Sequence, residues 1–304
     1  MKNFMALPKE YATEKSRFSI IPIAYEGNVS WMKGAENGPS IIISASENLE
    51  YYDEQFEMEP FVLGIETQGE IRPGKVNEET ASEIIEKELK KRISKNKFPI
   101  FLGGDHSVTI ATTRAMEGIS PDFSFISIDA HSDLRESWNG SRFNHACTTK
   151  RVLERHNALI IGLRSQDIDE MEFMKFNKRV SAIKKYDFSK DELKKMLSSL
   201  SENVYLSIDV DAFDSSFIRN TGTPEPGGFL WDKMISAVEE IFKRKNVIGA
   251  DITEFAPAGE PHNYNSEAFS LAKLCYKMMS LSEKYKEKEG IREKIEKVRK
   301  KIKH

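Results

Sequence analysis

The sequence predicts an α/β fold on a mostly parallel sheet of about eight strands. Three observations carry this. Short apolar, β-branched runs recur along the chain, and stretches with helical periodicity separate them. Runs such as FISI, LIIGL and YLSI are continuously apolar instead of alternating, as strands covered on both faces must be.

The apolar runs place strands at 18–24 (FSIIPIA), 61–65 (FVLGI), 98–102 (FPIFL), 123–128 (FSFISI), 158–163 (ALIIGL), 180–183 (VSAI), 204–208 (VYLSI) and 247–252 (VIGADI). Helical periodicity places helices between or after them at 78–94, 108–116, 145–155, 190–200, 230–243 and 266–281. No Pro/Ser-rich linker and no internal repeat divides the chain, so residues 1–282 read as one domain. Residues 283–304 differ in character. They hold ten Lys/Arg and five Asp/Glu, with Ile291, Ile295, Val298 and Ile302 at helical spacing, and predict a basic amphipathic C-terminal helix.

Composition excludes several classes of function. The 304 residues are 39% hydrophobic, and no stretch approaches the ~20 apolar residues of a spanning helix, so no membrane partner is expected. MKNFMALPKEY contains no apolar core of a secretory signal. Cys147 and Cys275 form no disulfide framework and no CxxC pair, which favours a reducing compartment and a cytoplasmic location. A formal charge of −3 gives no electrostatic reason to expect nucleic acid.

Three segments put Asp and His directly after an apolar strand: Gly103-Gly104-Asp105-His106-Ser107, Asp129-Ala130-His131-Ser132-Asp133, and Asp209-Val210-Asp211 with Asp214 close behind. Strand ends in an open parallel sheet face a ligand-binding crevice. Strand-like alternation would turn Asp129, His131 and Asp133 to one side, and Asp209 with Asp211 likewise. His106, Asp129, His131, Asp133, Asp209 and Asp211 are therefore candidate metal ligands. Four carboxylates packed together repel unless protons or cations intervene, and two divalent ions would balance their charge. Six side chains are few for two ions, so some carboxylates should bridge, at a metal separation of about 3.5–4 Å, with a bridging water ionised near neutral pH. Imidazole and carboxylate without thiolate suit Mn²⁺, with Mg²⁺, Co²⁺, Ni²⁺ and Zn²⁺ less selectively matched.

These segments resemble those of the ureohydrolases, the family of arginase, agmatinase and enzymes acting on other guanidino compounds. The matching motifs are GGDHS (103–107), SIDAHSD (127–133), SIDVDAFD (207–214), TGTPEPGG (221–228) and DITEFAP (251–257), in family order and with a similar GAENGPS near the N-terminus. The resemblance implies a three-layer α/β/α fold, a binuclear manganese centre and assembly as a homo-oligomer, a trimer or hexamer. It implies that His106, Asp129, Asp133 and Asp209 hold one ion and that His131, Asp129, Asp209 and Asp211 hold the other. Asp129 and Asp209 are then the bridges, while Asp105 and Asp214 either orient ligands or form turns.

By the same resemblance Glu254 pairs with the substrate guanidinium, for which a carboxylate fork is also the best physical partner. His145 matches the family's active-site histidine, suited to delivering a proton to the departing amine. Asp133 joins His145 and Glu254 as a catalytic residue. Ala146 and Cys147 replace the glycine that follows this histidine in the more widespread members, and resemble archaeal and thermophilic-bacterial agmatinase-like enzymes. A Cys147 nucleophile finds no further triad member. His156 is expected at the surface on a helix end, His262 in a loop bordering the pocket, and His304 at the terminus.

The loop at 134–144 has two arginines, two aromatics and few hydroxyls, unlike the Asn/Ser/Thr-rich loop that arginase needs for an α-amino acid. The expected reaction is hydrolysis of agmatine to putrescine and urea, a step of polyamine biosynthesis, with N1-aminopropylagmatine as the alternative substrate, followed by arginine or a guanidino acid. Glu136, or an acid near His262, is placed to receive a distal ammonium. A non-catalytic metal- or polyamine-binding member would have lost a ligand, and a one-zinc deacylase would need only one ligand set; here both sets, Glu254 and His145 are present. The tail's excess of five cations within a net of −3 leaves the body at −8, a sign that suits a cationic substrate.

Overall fold

The apolar runs form eight strands in the computed structural model, which describes residues 2–257 and 265–286. They are β1 (Phe18–Pro22), β2 (Ile65–Thr67), β3 (Phe98–Leu102), β4 (Ser124–Ile128), β5 (Ala158–Leu163), β6 (Val180–Lys184), β7 (Asn203–Asp209) and β8 (Asn246–Thr253). Every pairing is parallel, and the order across the sheet is β2-β1-β3-β8-β7-β4-β5-β6. All residues of β1, β3, β4 and β5 are buried, as continuous apolar runs require.

Among the described residues eight α-helices cover the sheet: α1 (Gly38–Ala45), α2 (Glu78–Arg92), α3 (Val108–Met116), α4 (Thr148–Val152), α5 (Ile168–Phe176), α6 (Lys190–Leu197), α7 (Trp231–Arg244) and α8 (Ser266–Lys284). Strand alternation divides the core between two faces. Ile20, Ile100, Ile126, Leu206 and Ile208 pack with α1, α6, α7 and α8, whereas Ile21, Phe101, Phe125, Ile160 and Tyr205 pack with α2, α3, α4 and α5. The result is the expected three-layer α/β/α sandwich.

Differences from the sequence reading have local causes. The run at 61–65 is mostly a 3-10 turn, Pro60–Leu63, because Pro60 starts a helical turn and Gly64 at φ 84° ends it before β2. An added Cβ on Gly64 would lie 2.5 Å from Ser16 Oγ, so the break requires glycine. The helix expected at 145–155 is a 3-10 turn, His145–Cys147, followed by the short α4. Two helices went unread. In α1 the Gly38-Pro39 pair that resembles a turn sits at the first helical positions, where proline is tolerated. In α5 the apolar Ile168 and Phe176 are exposed, which blurs any periodic stripe.

His156 is buried, not at the surface: it stacks on Phe123 at 3.8 Å, with Nδ1 3.1 Å from the Phe123 carbonyl and Nε2 3.2 Å from Glu117. α8 runs past residue 282, and Glu283 pairs with Arg17 at 2.7 Å. The tail beyond residue 286, His262 and His304 lie outside the described residues.

The strands β3, β8, β7 and β4 are four successive neighbours at the centre of the sheet. After β3 the chain crosses to the far side of the β8-β7 pair to form β4, which opens a crevice at the carboxyl ends of these four. GGDHS leaves β3, Glu254 follows β8, Asp209 ends β7 with Asp211 in the turn after it, and Asp129 to Asp133 leave β4.

Candidate metal centre

The loops at this crevice are shaped by close backbone contacts. Gly104 lies against Tyr25, where an added Cβ would stand 1.8 Å from the carbonyl oxygen, so only glycine turns the loop here. Asp105 accepts from the Gly27 and Ser107 amides at 2.6 and 3.0 Å, and Asp214 accepts from Ser216, Gly227 and Gly228. Both are organisers of turns. Strand alternation does not aim the ligands as expected. β4 stops at Ile128 and Asp133 takes a left-handed φ of 51°, while Asp209 caps a 3-10 turn, Val210–Ala212, by accepting from the Asp211 amide at 2.9 Å.

The six candidate ligands nonetheless converge. His106 Nδ1 lies 2.8 Å from Asp133 Oδ2 and 3.3 Å from Oδ2 of both Asp129 and Asp209. His131 Nδ1 lies 2.8 Å from Asp211 Oδ2 and 3.8 Å from Asp129 Oδ1. Two trios able to grip an ion result, His106 with Asp129 and Asp209, and His131 with Asp129 and Asp211. Asp129 is common to both.

Hydrogen bonding fixes which nitrogen of His106 is available. Asp251, fully buried, accepts from Tyr205 OH at 2.7 Å, Thr109 Oγ1 at 2.9 Å and Ser207 Oγ at 2.5 Å. With its proton committed to Asp251, Ser207 can only accept from His106 Nε2–H, 3.0 Å away. The lone pair is thereby placed on Nδ1, which is buried and has no hydrogen-bond partner among the described residues. An imidazole nitrogen bare of hydrogen bonds and facing three carboxylates fits a divalent cation, and the Ser207–Asp251 relay is the outer support such a ligand needs.

Charges crowd the site. Burial and the Asp129 charge push the Asp133 carboxyl up to about 7, and burial with Asp211 and Asp129 raises Asp209 well above the carboxylate range. Burial also raises Asp129, aided by Asp211. Burial alone would lower the histidines, but the carboxylates of Asp129 and Asp133 beside its Nδ1 raise His106 well above 6.5, and Asp211 lifts His131 to about 10. Asp211 is lowered: burial works against this, but His131 and the Ala130 amide overcome it.

Glu254, at φ 66°, sits at the floor, its amide bonded to the Gly104 carbonyl at 2.7 Å and its Oε1 accepting from the His106 amide at 2.6 Å. Burial and Asp105 raise its carboxyl well above the usual range. Backbone strain at Asp133 and Glu254 together marks a place where packing imposes geometry. His145 lines the same cavity, of about 310 Å³, but meets Ser30 Oγ at 2.9 Å and not the carboxylate cluster. Burial lowers its pKa. Cys147 is buried and its thiol is raised to about 11, chiefly by burial, which suits packing and not nucleophilic attack.

Glu136 does not face the cavity. It is held by Arg142 at 2.7 Å, Arg151 at 3.1 Å and Lys150 at 3.7 Å, so it is spent on the chain's own cations. The residues of this region that do line the cavity are Arg135, Trp138, Gln166 and Asp167. Trp138 is carried on a tight hairpin in which Trp138 and Ser141 exchange hydrogen bonds at 2.8 and 3.0 Å, with Asn139 and Gly140 at φ 49° and 82°. Glu170 is another residue that sequence reasoning passed over. Its Oε1 holds Ser132 Oγ at 2.7 Å and the Leu134 amide at 2.9 Å, and its Oε2 completes the capping box of α5 with Asp167. The Asp-x-x-Glu spacing at 167–170 was the signal that could have found it.

Comparison with known proteins follows the same lines. The model of the Arginase family matches residues 16–280. The chain is 36% identical to an agmatinase of Pyrococcus horikoshii, over 87% of this chain and 92% of that protein. It is 35% identical to an N(1)-aminopropylagmatine ureohydrolase of Synechocystis sp., over 86% of this chain and 87% of that protein. The crystal structure of agmatine ureohydrolase of Thermoplasma volcanium superposes with a TM-score of 0.79 at 29% identity, covering 90% of this chain and 92% of that one. No described helix is long and apolar enough to cross a membrane.

Proposed function

Since this chain belongs to the arginase family and is a metal-dependent ureohydrolase, we propose that it hydrolyses the guanidino group of agmatine, giving putrescine and urea, at a pair of manganese ions. The observation that carries this reading is the meeting of two His-carboxylate trios through Asp129 beside the buried Glu254, on four adjacent strand ends. His106, Asp129, Asp133 and Asp209 would hold one ion, and His131, Asp129, Asp209 and Asp211 the other. When bound, the cations supply the Lewis acidity that makes water a nucleophile near neutral pH.

The chain's own residues do the rest. Glu254 binds the guanidinium through Oε2, since Oε1 is taken by the His106 amide; Gly222 keeps Oε2 uncovered, as an added Cβ would stand 2.9 Å from it. Pairing with a cation keeps Glu254 ionised despite its burial and orients the central carbon toward the carboxylate cluster. Asp133 lines the cavity and can hold the proton lost by the attacking water. His145 gives a proton to the departing amine from Nδ1, the ring atom without a partner among the described residues, and its lowered pKa makes that proton easy to release.

A second reading, N1-aminopropylagmatine, is supported by the Synechocystis relative at 35% identity and by a cavity whose lining holds a further carboxylate, Asp167, beside Trp138. A cytoplasmic homotrimer or hexamer belongs to the same proposal. Urea release from agmatine, aminopropylagmatine, arginine and 4-guanidinobutyrate, measured with Mn²⁺ supplied alongside metal content and solution mass, tests all of it. A preference for arginine or the guanidino acid would overturn the substrate assignment, and fewer than two ions per active chain would overturn the centre.

A further inference from the structure

The cavity that holds the carboxylate cluster is also lined by Arg135, Trp138, Gln166 and Asp167. There Arg135 Nη1 lies 2.6 Å from Asp167 Oδ2, and its guanidinium carbon stands 4.2 Å from the centre of the Trp138 ring. A carboxylate beside an aromatic face is a cation site, and here the chain's own guanidinium fills it. The walls of this site are fixed. Asp167 spends Oδ1 on the Glu170 amide at 3.1 Å as the cap of α5, and its own amide donates to Glu170 Oε2 at 3.0 Å, so Oδ2 alone is left to meet a cation. Trp138 is held by its hairpin and by donating from Nε1 to Ser30 Oγ at 3.3 Å.

Gln166, the next residue, adds an independent sign. Its Oε1 is buried and has no hydrogen-bond partner among the described residues, yet the side chain lines the cavity. A buried acceptor left unpaired is costly, and a ligand N–H would relieve it once the amide turns its oxygen into the cavity.

We propose that this part of the lining is a two-point subsite for a long polycationic guanidino amine. A secondary ammonium donates to Gln166 Oε1, and the terminal ammonium takes the place of Arg135 between Asp167 Oδ2 and the Trp138 face. The inference rests on the reading above, in which Glu254 holds the guanidinium. Agmatine has one ammonium and engages only the first point; the aminopropyl extension supplies the second. Arg135 is then a resident stand-in for the terminal ammonium. It keeps Asp167 neutralised while a short substrate is bound and swings aside for a long one.

The test compares kcat/KM for aminopropylagmatine and agmatine, and the calorimetric affinity for spermidine, in the Mn²⁺-loaded wild type, Asp167→Asn and Arg135→Ala. Asparagine caps a helix as well as aspartate does, so Asp167→Asn removes charge without removing the cap. It should lower the kcat/KM ratio and the spermidine affinity by about tenfold, the loss of one charge-assisted contact. Arg135→Ala vacates the site, so the ratio should rise and spermidine should bind tighter. Unchanged ratios and affinities in both variants would overturn the subsite. So would weaker spermidine binding in Arg135→Ala, or loss of 4-guanidinobutyrate turnover in that variant, which would make Arg135 a carboxylate contact. Should Asp167→Asn melt early, Arg135→Ala decides alone. If the wild type turns over neither amine, the proposed reaction fails, while spermidine binding still decides the subsite.

Discussion

Ser207 Oγ stands 3.0 Å from His106 Nε2 and donates to Asp251 at 2.5 Å, so one nitrogen of the imidazole is closed off and the other is left bare toward three carboxylates. The relay keeps a hydrogen on Nε2, so Nδ1 is the nitrogen that gives up its proton to a cation. Ser207→Ala should therefore weaken Mn²⁺ binding by roughly 10–100-fold, because the ring loses its orientation. Unfolding stability should fall by about 1–3 kcal/mol as well, from the unpaired Nε2–H. Mn²⁺ titration by calorimetry checks the first and chemical denaturation the second. Unaltered Mn²⁺ affinity would mean that packing, not Ser207, orients His106.

Glu254 offers a separation between binding substrate and binding metal. Glu254→Gln keeps an oxygen for the His106 amide, 2.6 Å away in the wild type, but gives the guanidinium no charge to meet. KM should rise about 100-fold, near the ~3 kcal/mol of a hydrogen bond to a charged group, with metal content unchanged. Steady-state kinetics with metal analysis on the same sample decide it. A wild-type KM would remove Glu254 from substrate binding, and lost metal would make it part of the metal site instead.

Why the site was so legible, and its surroundings less so, is a matter of what each must do. A metal cluster needs His and Asp directly behind strands that are otherwise apolar, and that contrast shows in GGDHS, SIDAHSD and SIDVD without coordinates. Continuous runs such as ALIIGL give β5 its observed ends. Residues acting through others carry no such contrast. Ser207 and Asp251 alternate with apolar neighbours inside β7 and β8 like ordinary strand residues, and only the sheet pairs them, register partner to register partner. Glu136 read as a free acid because Arg142 and Arg151, six and fifteen positions on, fold back onto it. His156 read as exposed because nothing local announces Phe123 beneath it. Tertiary contact settles these cases, and a single sequence holds no record of it.

His145 is joined to Trp138 by a short relay, with Ser30 Oγ 2.9 Å from its Nε2 and 3.3 Å from the indole Nε1 of Trp138. In the protonated ring Nε2–H donates to Ser30 Oγ, which accepts from Trp138 with its other lone pair, and the second N–H, at Nδ1, is left for the substrate. His145→Asn should lower kcat by about 10²–10⁴-fold, the usual weight of a positioned acid, with a much smaller change in KM and full metal content. Small amines added in place of the histidine should restore part of the rate. Retention of wild-type kcat would limit His145 to local hydrogen bonding.

The crowding of carboxylates makes metal removal a pH experiment. In the metal-free chain Asp133 is raised from 3.8 to about 7, so the folded state keeps a proton that the unfolded state has lost, and stability falls as pH climbs between these values. His131, raised from 6.5 to about 10, adds stability that is complete below 6.5 and disappears as pH rises through 10. The upward shifts of Asp129, Asp209 and His106 act in the same direction. Asp211 is lowered and loses its contribution only at acid pH, below this window. Bound cations replace those protons, so Mn²⁺ binding should release protons near neutral pH and tighten as pH rises. The gap in Tm between Mn²⁺-loaded and chelator-stripped protein should therefore widen by about 5 °C or more across the neutral range. Calorimetry in two buffers of different ionisation enthalpy reads the proton release, and scanning fluorimetry reads the gap. A constant gap with no proton release would show that the four carboxylates are already charged without metal, and that the site is more open to water than its burial implies.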